Sequence, residues 1–292
     1  MNTSINIRVP HPYDFPGCVN GHGWISLQPF VRNENGFTRI ETLSTGKVVR
    51  IDVSSRCGRG STTIKAVVHE VLSNKQQMEI EQKLRLMLRL DEDLSEFYGL
   101  CEDRQDGHDG YRAAVGKGRL LRSPTLFEDA FKVILTTNTT WNQTRNMVAR
   151  SVEALGKPLR GSKTWRSFPT PNAVIEAGVR VFEKQIRLGY RSSAVVALAE
   201  RASELEDLSH SDLPTEELRK QLLRFKGIGP YAAASLLMLL GRYDYLAIDS
   251  EMRSFTSRKY FAGRVPSDAE MLALYEEWGR WKYLGHWLDV DS

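Results

Sequence analysis

A chain of 292 residues has room for two or three compact domains, and its 41% hydrophobic and 26% charged residues are ordinary for a soluble globular protein. The net charge of +4 is modest but uneven: residues 112–200 carry +9, against −2 before them and −3 after. A basic middle suits a polyanion, although a solvated helical surface would read the same way. Cys18, Cys57 and Cys101 form no C-x-x-C pair, and the histidines lack metal spacing, so a disulfide framework, a zinc site and an iron–sulfur cluster are disfavoured. No metal and no cofactor is expected. The longest apolar run, Ala232 to Leu240, is too short to cross a bilayer and the N-terminus lacks an apolar signal core, so an intracellular, soluble monomer is expected.

Residues 1–75 read as β-rich. Alternating runs at Gly23 to Leu27, Lys47 to Val53 and Ser61 to Leu72 are separated by the turn pairs Asn35-Gly36 and Thr45-Gly46, which predicts a curved antiparallel sheet. From Asn74 to Cys101 the period becomes helical through Met87, Leu90 and Leu94, with a break near Asp91 and Asp93. The turn-rich Asp106 to Gly110 places a domain boundary at 110. Gly116-Lys117-Gly118-Arg119 is basic and flexible, without the rest of a phosphate-loop motif.

Residues 123–155 predict two helices around a polar bend, Thr136 to Trp141. The first has a capped start at Ser123 to Glu128 and an apolar face of Phe131, Ile134 and Leu135. Phe168-Pro169-Thr170-Pro171 opens an alanine-rich helix, and Leu188-Gly189-Tyr190-Arg191 precedes another. An amphipathic helix carrying Leu218, Leu222 and Leu223 then runs into Lys226-Gly227-Ile228-Gly229-Pro230, a tight turn in which glycine supplies positive φ. A second helix starts at about Pro230 and Tyr231, where a proline is tolerated. The amides of such a turn at a helix N-terminus suit a phosphate. After a polar break, Asp249 stands where the helix Ser250 to Tyr260 begins and would cap it unaided. Trp278, Trp281, Tyr283 and Trp287 lie on a last amphipathic helix and read as core packing.

The hairpin 217–241, with Gly227, Ile228 and Gly229 at its turn and Asp249 beyond it, resembles the helix-hairpin-helix DNA glycosylase superfamily. The FPTP and LGYR strings, in that order ahead of the hairpin, match strings of the same superfamily. The resemblance covers residues 120–292 well and the first hundred loosely. There, Pro12-Tyr13-Asp14-Phe15 and Trp24 to Phe30 look like the N-terminal β domain of 3-methyladenine glycosylase II and 8-oxoguanine glycosylase. It implies an α+β protein, with an N-terminal antiparallel β domain over 1–110 and an all-α hairpin domain over 111–292. It also implies double-stranded DNA as partner, Asp249 as the catalytic carboxylate, and DNA contacts from Lys226, Gly227, Ile228, Gly229, Tyr231 and Arg191. Asn138 aligns with the residue that fills the hole left by a flipped base, although a turn or cap role would also suit asparagine. Tyr231, Trp141 and Tyr190 are candidates for stacking on the target base, with buried packing as the alternative and the better one for Tyr190.

Superfamily members with lyase activity carry a lysine just after the hairpin glycines. Tyr231 stands there and cannot form an imine, which implies a monofunctional glycosylase that leaves an abasic site. Lys226, on the other side of the turn, suits a phosphate or solvent. The missing lysine favours an alkylated base, whereas Thr136 to Trp141 looks more like the oxidised-guanine branch. A modified pyrimidine on foreign DNA, excised in defence, is a third option. A hairpin protein that only binds DNA is the alternative of another class, and a metal-dependent nuclease is disfavoured because the acids near Asp249 lack a partner at ligand spacing.

Overall fold

The computed structural model describes residues 2–10, 12–103 and 114–291. The boundary expected at 110 lies outside them. The N-terminal part is a five-stranded antiparallel sheet of β1 (Thr3–Val9), β2 (Phe30–Asn33), β3 (Gly36–Thr42), β4 (Val48–Gly58) and β5 (Ser61–Val68), in the order β1-β5-β4-β3-β2. Alternation does the work in β5, where Thr62, Ile64, Ala66 and Val68 face inward and their neighbours outward. The β2–β3 hairpin pairs Asn33 with Gly36, so its turn falls one residue earlier than Asn35-Gly36.

One expected strand is absent. Gly23 to Leu27 is a short 3-10 turn, Trp24–Ser26, because Gly23 adopts φ +81° and the Trp24 indole turns inward to donate to Asp129 Oδ1 at 3.1 Å. Elements that escaped the sequence reading include β1 and the helix α1 (Phe15–Asn20), capped by Asp14, which buries Phe15, Cys18 and Val19 against the sheet. Next come α2 (Asn74–Leu88), opened by a capping box between Ser73 and Gln76, and α3 (Ser95–Asp103). Arg89, left-handed at φ 53°, makes the break between them.

The helical part comprises α4 (Leu126–Thr136), α5 (Trp141–Leu155), α6 (Pro171–Val181), α7 (Ser192–Glu200), α8 (Ala202–Ser209), α9 (Thr215–Leu222), α10 (Pro230–Leu239), α11 (Ser250–Tyr260), α12 (Asp268–Ala273) and α13 (Lys282–Asp291). Thr125, Thr140, Thr170 and Asp249 each accept a backbone N–H with the side chain, so a short polar residue before each apolar run sets where it starts. One continuous hydrophobic cluster runs from the sheet through α4 to the C-terminal helices. Helix α4 is the shared wall. It is buried from Leu126 to Leu135, including Glu128, Asp129 and Lys132, none of which its amphipathic pattern marks as core. Glu128 reaches Arg39 on β3, Arg39 also binds Glu41, and Lys83 of α2 binds Glu41 in turn. These charges are tolerated out of water because each has a partner of opposite sign.

Candidate active site

The hairpin has the form its sequence predicts. After α9 the chain turns through Lys226 and Gly227 into α10, with Gly227 at φ +87°. A Cβ on Gly227 would come within 2.7 Å of the Ala194 Cβ on α7, so the position is closed to any other residue. Gly229 faces open space with nothing within 4 Å of where its Cβ would be, and no side chain caps α10 there. Lys226, Gly227, Gly229 and Pro230 are exposed. Ile228 lies between the exposed residues but turns inward. Its side chain is only 4% exposed and its amide donates to the Phe225 carbonyl at 3.1 Å, so it is the plug that seats the turn on the core.

Helix α10 ends at Gly241, in the left-handed region at φ +79°, and the loop that follows is tied at both ends. Tyr243 is buried with its hydroxyl on Glu92 at 2.6 Å, and its carbonyl accepts the Tyr283 amide of α13 at 2.9 Å. The loop delivers Asp249 to the N-cap of α11, where Oδ1 accepts the Met252 amide at 2.8 Å. That is the hydrogen bond its side chain makes among the described residues, which leaves Oδ2 for solvent or a ligand. The carboxylate is half-buried. It lies within electrostatic reach of Tyr231 on α10 and of Tyr283 and His286 on α13. Burial, with the Asp249 charge adding to it, raises both tyrosine pKa values, so both hydroxyls stay neutral. Burial lowers the His286 pKa, while Asp289 and Asp249 pull it back.

The α4–α5 bend lies beside this group. Thr136 is among the groups that act on the Tyr231 hydroxyl, lowering its pKa against the larger effect of burial. Asn138, at the tip, is exposed and left-handed at φ +47°. Tyr190 stands next to it, 65% exposed and not packed as its sequence reading favoured, with its hydroxyl 3.3 Å from the Thr137 carbonyl and 3.5 Å from Asn138 Nδ2. Tyr190 therefore belongs to the exposed bend. Arg191, expected to contact DNA, is mostly covered by the protein itself. It is 8% exposed, its guanidinium stacks on Tyr190 at 4.4 Å, and Nη2 donates to the carbonyls of Thr137 and Asn138. These bonds tie Arg191 to the backbone of the bend.

Trp141, 40% exposed, lies over Gly23 and donates to Ser26 Oγ at 3.2 Å, so it bridges to the N-terminal part. Trp287 reaches the same segment from α13, donating to the Gly21 carbonyl at 3.2 Å. Sequence reasoning assigned Tyr283 and Trp287 to the core. Both are half-buried, and their spacing of four on one helix face was the available signal. A cavity of about 490 Å³ opens elsewhere, at the C-terminal end of α10, and Arg85, Arg89 and Arg122 in its wall are ion-paired to Asp91, Glu92 and Asp129.

No protein-family model matches the chain, and no curated protein matches it. Solved structures do. A 3-methyladenine DNA glycosylase from Archaeoglobus fulgidus superposes with a TM-score of 0.75 at 24% identity, covering 97% of each chain. The 8-oxoguanine glycosylase/lyase of Clostridium acetobutylicum, in its apo form, gives 0.71 at 18%, covering 98% of this chain and 95% of that one. The same protein in complex with double-stranded DNA containing cytosine opposite 8-oxoguanine also gives 0.71 at 18%, covering 99% and 95%. The likeness spans the sheet and the hairpin together, and the chain has the fold of the helix-hairpin-helix DNA glycosylases with an N-terminal β domain.

Proposed function

We propose that the protein is a monofunctional DNA N-glycosylase that extrudes a modified base and hydrolyses its glycosidic bond with Asp249. The observation that carries this reading is the Asp249 carboxylate, held at the N-cap of α11 just beyond the hairpin, half-buried and within electrostatic reach of Tyr231 and Tyr283. Breaking the bond from C1′ to the base leaves positive charge on the sugar, which a fixed carboxylate stabilises. Water bonds to C1′ as the electron pair of the old bond leaves with the base, and the proton of the water passes to Asp249.

The exposed Gly229, the uncapped start of α10 and Lys226 would hold the backbone on one side of the target nucleotide. Asn138 and Tyr190 would enter the duplex on the other. An asparagine amide and an exposed ring suit the gap and the unstacked step that flipping creates, at a cost of roughly a few kcal/mol. Tyr231 follows the hairpin where an imine-forming lysine would be needed, so no lyase step is proposed.

The substrate class proposed is an alkylated base. Alkylation at a ring nitrogen of a purine creates a cationic base, and a carboxylate among aromatic rings favours a cation. The experiment is a panel of duplexes, each with one alkylated, oxidised or hypermodified base, with the released base identified by mass. Release of an alkylated base, with alkali-labile sites and no borohydride-trapped adduct, is the expected result. DNA binding without release from any duplex would replace the enzyme with a binding protein, and an adduct lost on Lys226→Ala would restore the lyase.

A further inference from the structure

The basic middle of the sequence has a definite shape in the structure. Residues 142–191 hold ten lysines and arginines against three acids, Glu153, Glu176 and Glu183. Among the described residues none of the ten forms an ion pair, and the nearest paired cations along the chain are Lys132 before them and Arg201 after. Elsewhere the fold pairs its charges freely, as it does for Arg39, Lys83 and Arg89. Repulsion left unrelieved in this way opposes folding, and an anion from outside the chain would relieve it.

Two parts of the chain set these cations in a row. Helix α5 starts just past the Asn138 bend and ends at Leu155, a span of about 22 Å at the helical rise. Arg145 is exposed on it. Arg150 donates Nε to the Ile186 carbonyl at 2.7 Å, which lays the segment carrying Lys184 and Arg187, both exposed, alongside the helix. That segment returns to the bend through Arg191. Beyond Leu155 the chain makes a hairpin, with Pro158 bridged to Arg166 and the Leu159 amide donating to the Trp165 carbonyl at 2.8 Å. Its turn, Leu159 to Ser162, closes with the Ser162 amide on the Leu159 carbonyl at 3.0 Å, and Gly161 takes the third position at φ +80°. Lys157, Arg160 and Lys163 are exposed on this hairpin.

The hairpin is also anchored to the sheet. Ser167 Oγ accepts from Thr42 Oγ1 of β3 at 2.6 Å, and the Arg50 guanidinium of β4 stacks on the Trp165 ring at 4.6 Å. An arm fixed in advance binds without first losing chain freedom. We propose that α5, the segment beside it and this hairpin form a ridge that tracks the phosphates of duplex DNA on one flank of the extruded nucleotide. At about 3.4 Å per base pair, the length of α5 places the hairpin about six base pairs from the nucleotide that Asn138 displaces. Lys157, Arg160 and Lys163 are the far contacts of the ridge.

The proposal rests on the glycosylase reading for where the duplex lies, but affinity is measured without base release, so the two can fail separately. The probe is duplex DNA with a central abasic-site analogue, followed by fluorescence anisotropy, with arms of either about four or about twelve base pairs on each side. The triple variant Lys157→Ala/Arg160→Ala/Lys163→Ala is expected to bind the long-armed duplex about 10- to 100-fold more weakly than wild type, with the slope of log affinity against log salt reduced by about 2–3. On short arms, which stop before the hairpin, it is expected to match wild type. The charge-retaining Lys157→Arg/Arg160→Lys/Lys163→Arg variant is expected to keep its affinity for long arms. Equal affinity of wild type and the alanine variant on long arms overturns the proposal. So does an equal loss on both lengths, or a loss in the charge-retaining variant as large as in the alanine one. The expected pattern in a protein that releases no base from any duplex keeps the ridge and overturns the glycosylase reading.

Discussion

Arg39 on β3 and Glu128 on α4 meet in a two-point ion pair, Nη1 to Oε1 at 3.0 Å and Nη2 to Oε2 at 2.6 Å, with both side chains shut off from water. Lys132 closes on the same carboxylate at 2.6 Å. Glu128→Gln leaves buried Lys132 without its ion-pair partner and Arg39 with Glu41 alone, and is expected to cost about 3–5 kcal/mol, read from the denaturant midpoint. Burial would raise the Glu128 pKa, but Arg39 and Lys132 outweigh it and hold it at about 2, below an ordinary value of 4.5. A lowered carboxylate pKa means stability that is fully present above the unfolded value and lost as pH falls through the folded one. The stability gap between wild type and Glu128→Gln is therefore expected to narrow between pH 4.5 and about 2.

Asp249 has two roles that substitution can separate. Asparagine caps a helix about as well as aspartate does, so Asp249→Asn is expected to keep the melting temperature and DNA affinity while base release falls about 10²- to 10³-fold. Asp249→Ala also loses the bond to the Met252 amide, at about 1 kcal/mol. Undiminished release by Asp249→Asn would remove the carboxylate from the chemistry.

The two hairpin glycines are required for different reasons. Gly227→Ala forces an alanine into φ +87° against Ala194, at a cost of about 1–3 kcal/mol in thermal unfolding. Gly229→Ala meets nothing in the protein and is expected to cost about 1 kcal/mol or less, yet to weaken duplex binding by fluorescence anisotropy. Lys226→Ala should reduce the slope of log affinity against log salt by about 1.

Asn138→Gly tests the bend. Glycine suits φ +47° better than asparagine, so the variant is expected to match or exceed wild-type stability by up to about 1 kcal/mol. Base release from duplex DNA should fall while release from single strands, where no gap needs filling, persists. Tyr190→Ala is expected to show the same selective loss. Equal losses on both substrates would place these residues outside the flipping step.

What the sequence disclosed was mostly local. Gly227 is legible because a turn of that shape demands positive φ, and Asp249 because its cap spans three residues. The order of strands and helices followed from the shift between two periods. What escaped depends on partners far along the chain. Arg191 looked like a phosphate ligand, but its charge goes to carbonyls more than fifty residues away. Glu128 read as an ordinary first-turn helix charge because Arg39 lies 89 residues before it. Gly23 to Leu27 alternates like a strand, yet Trp24 is drawn inward by Asp129, 105 residues on.

Trp287, near one end of the chain, hands its indole hydrogen to Gly21, near the other. A latch of this kind, with Trp141 over Gly23 beside it, fastens the N-terminal segment directly to the helical part, which makes it no separate module attached by a tether. Either half expressed without its companion would present bare tryptophan and unmatched buried charge to solvent. Calorimetry on the intact protein should accordingly trace a single endotherm.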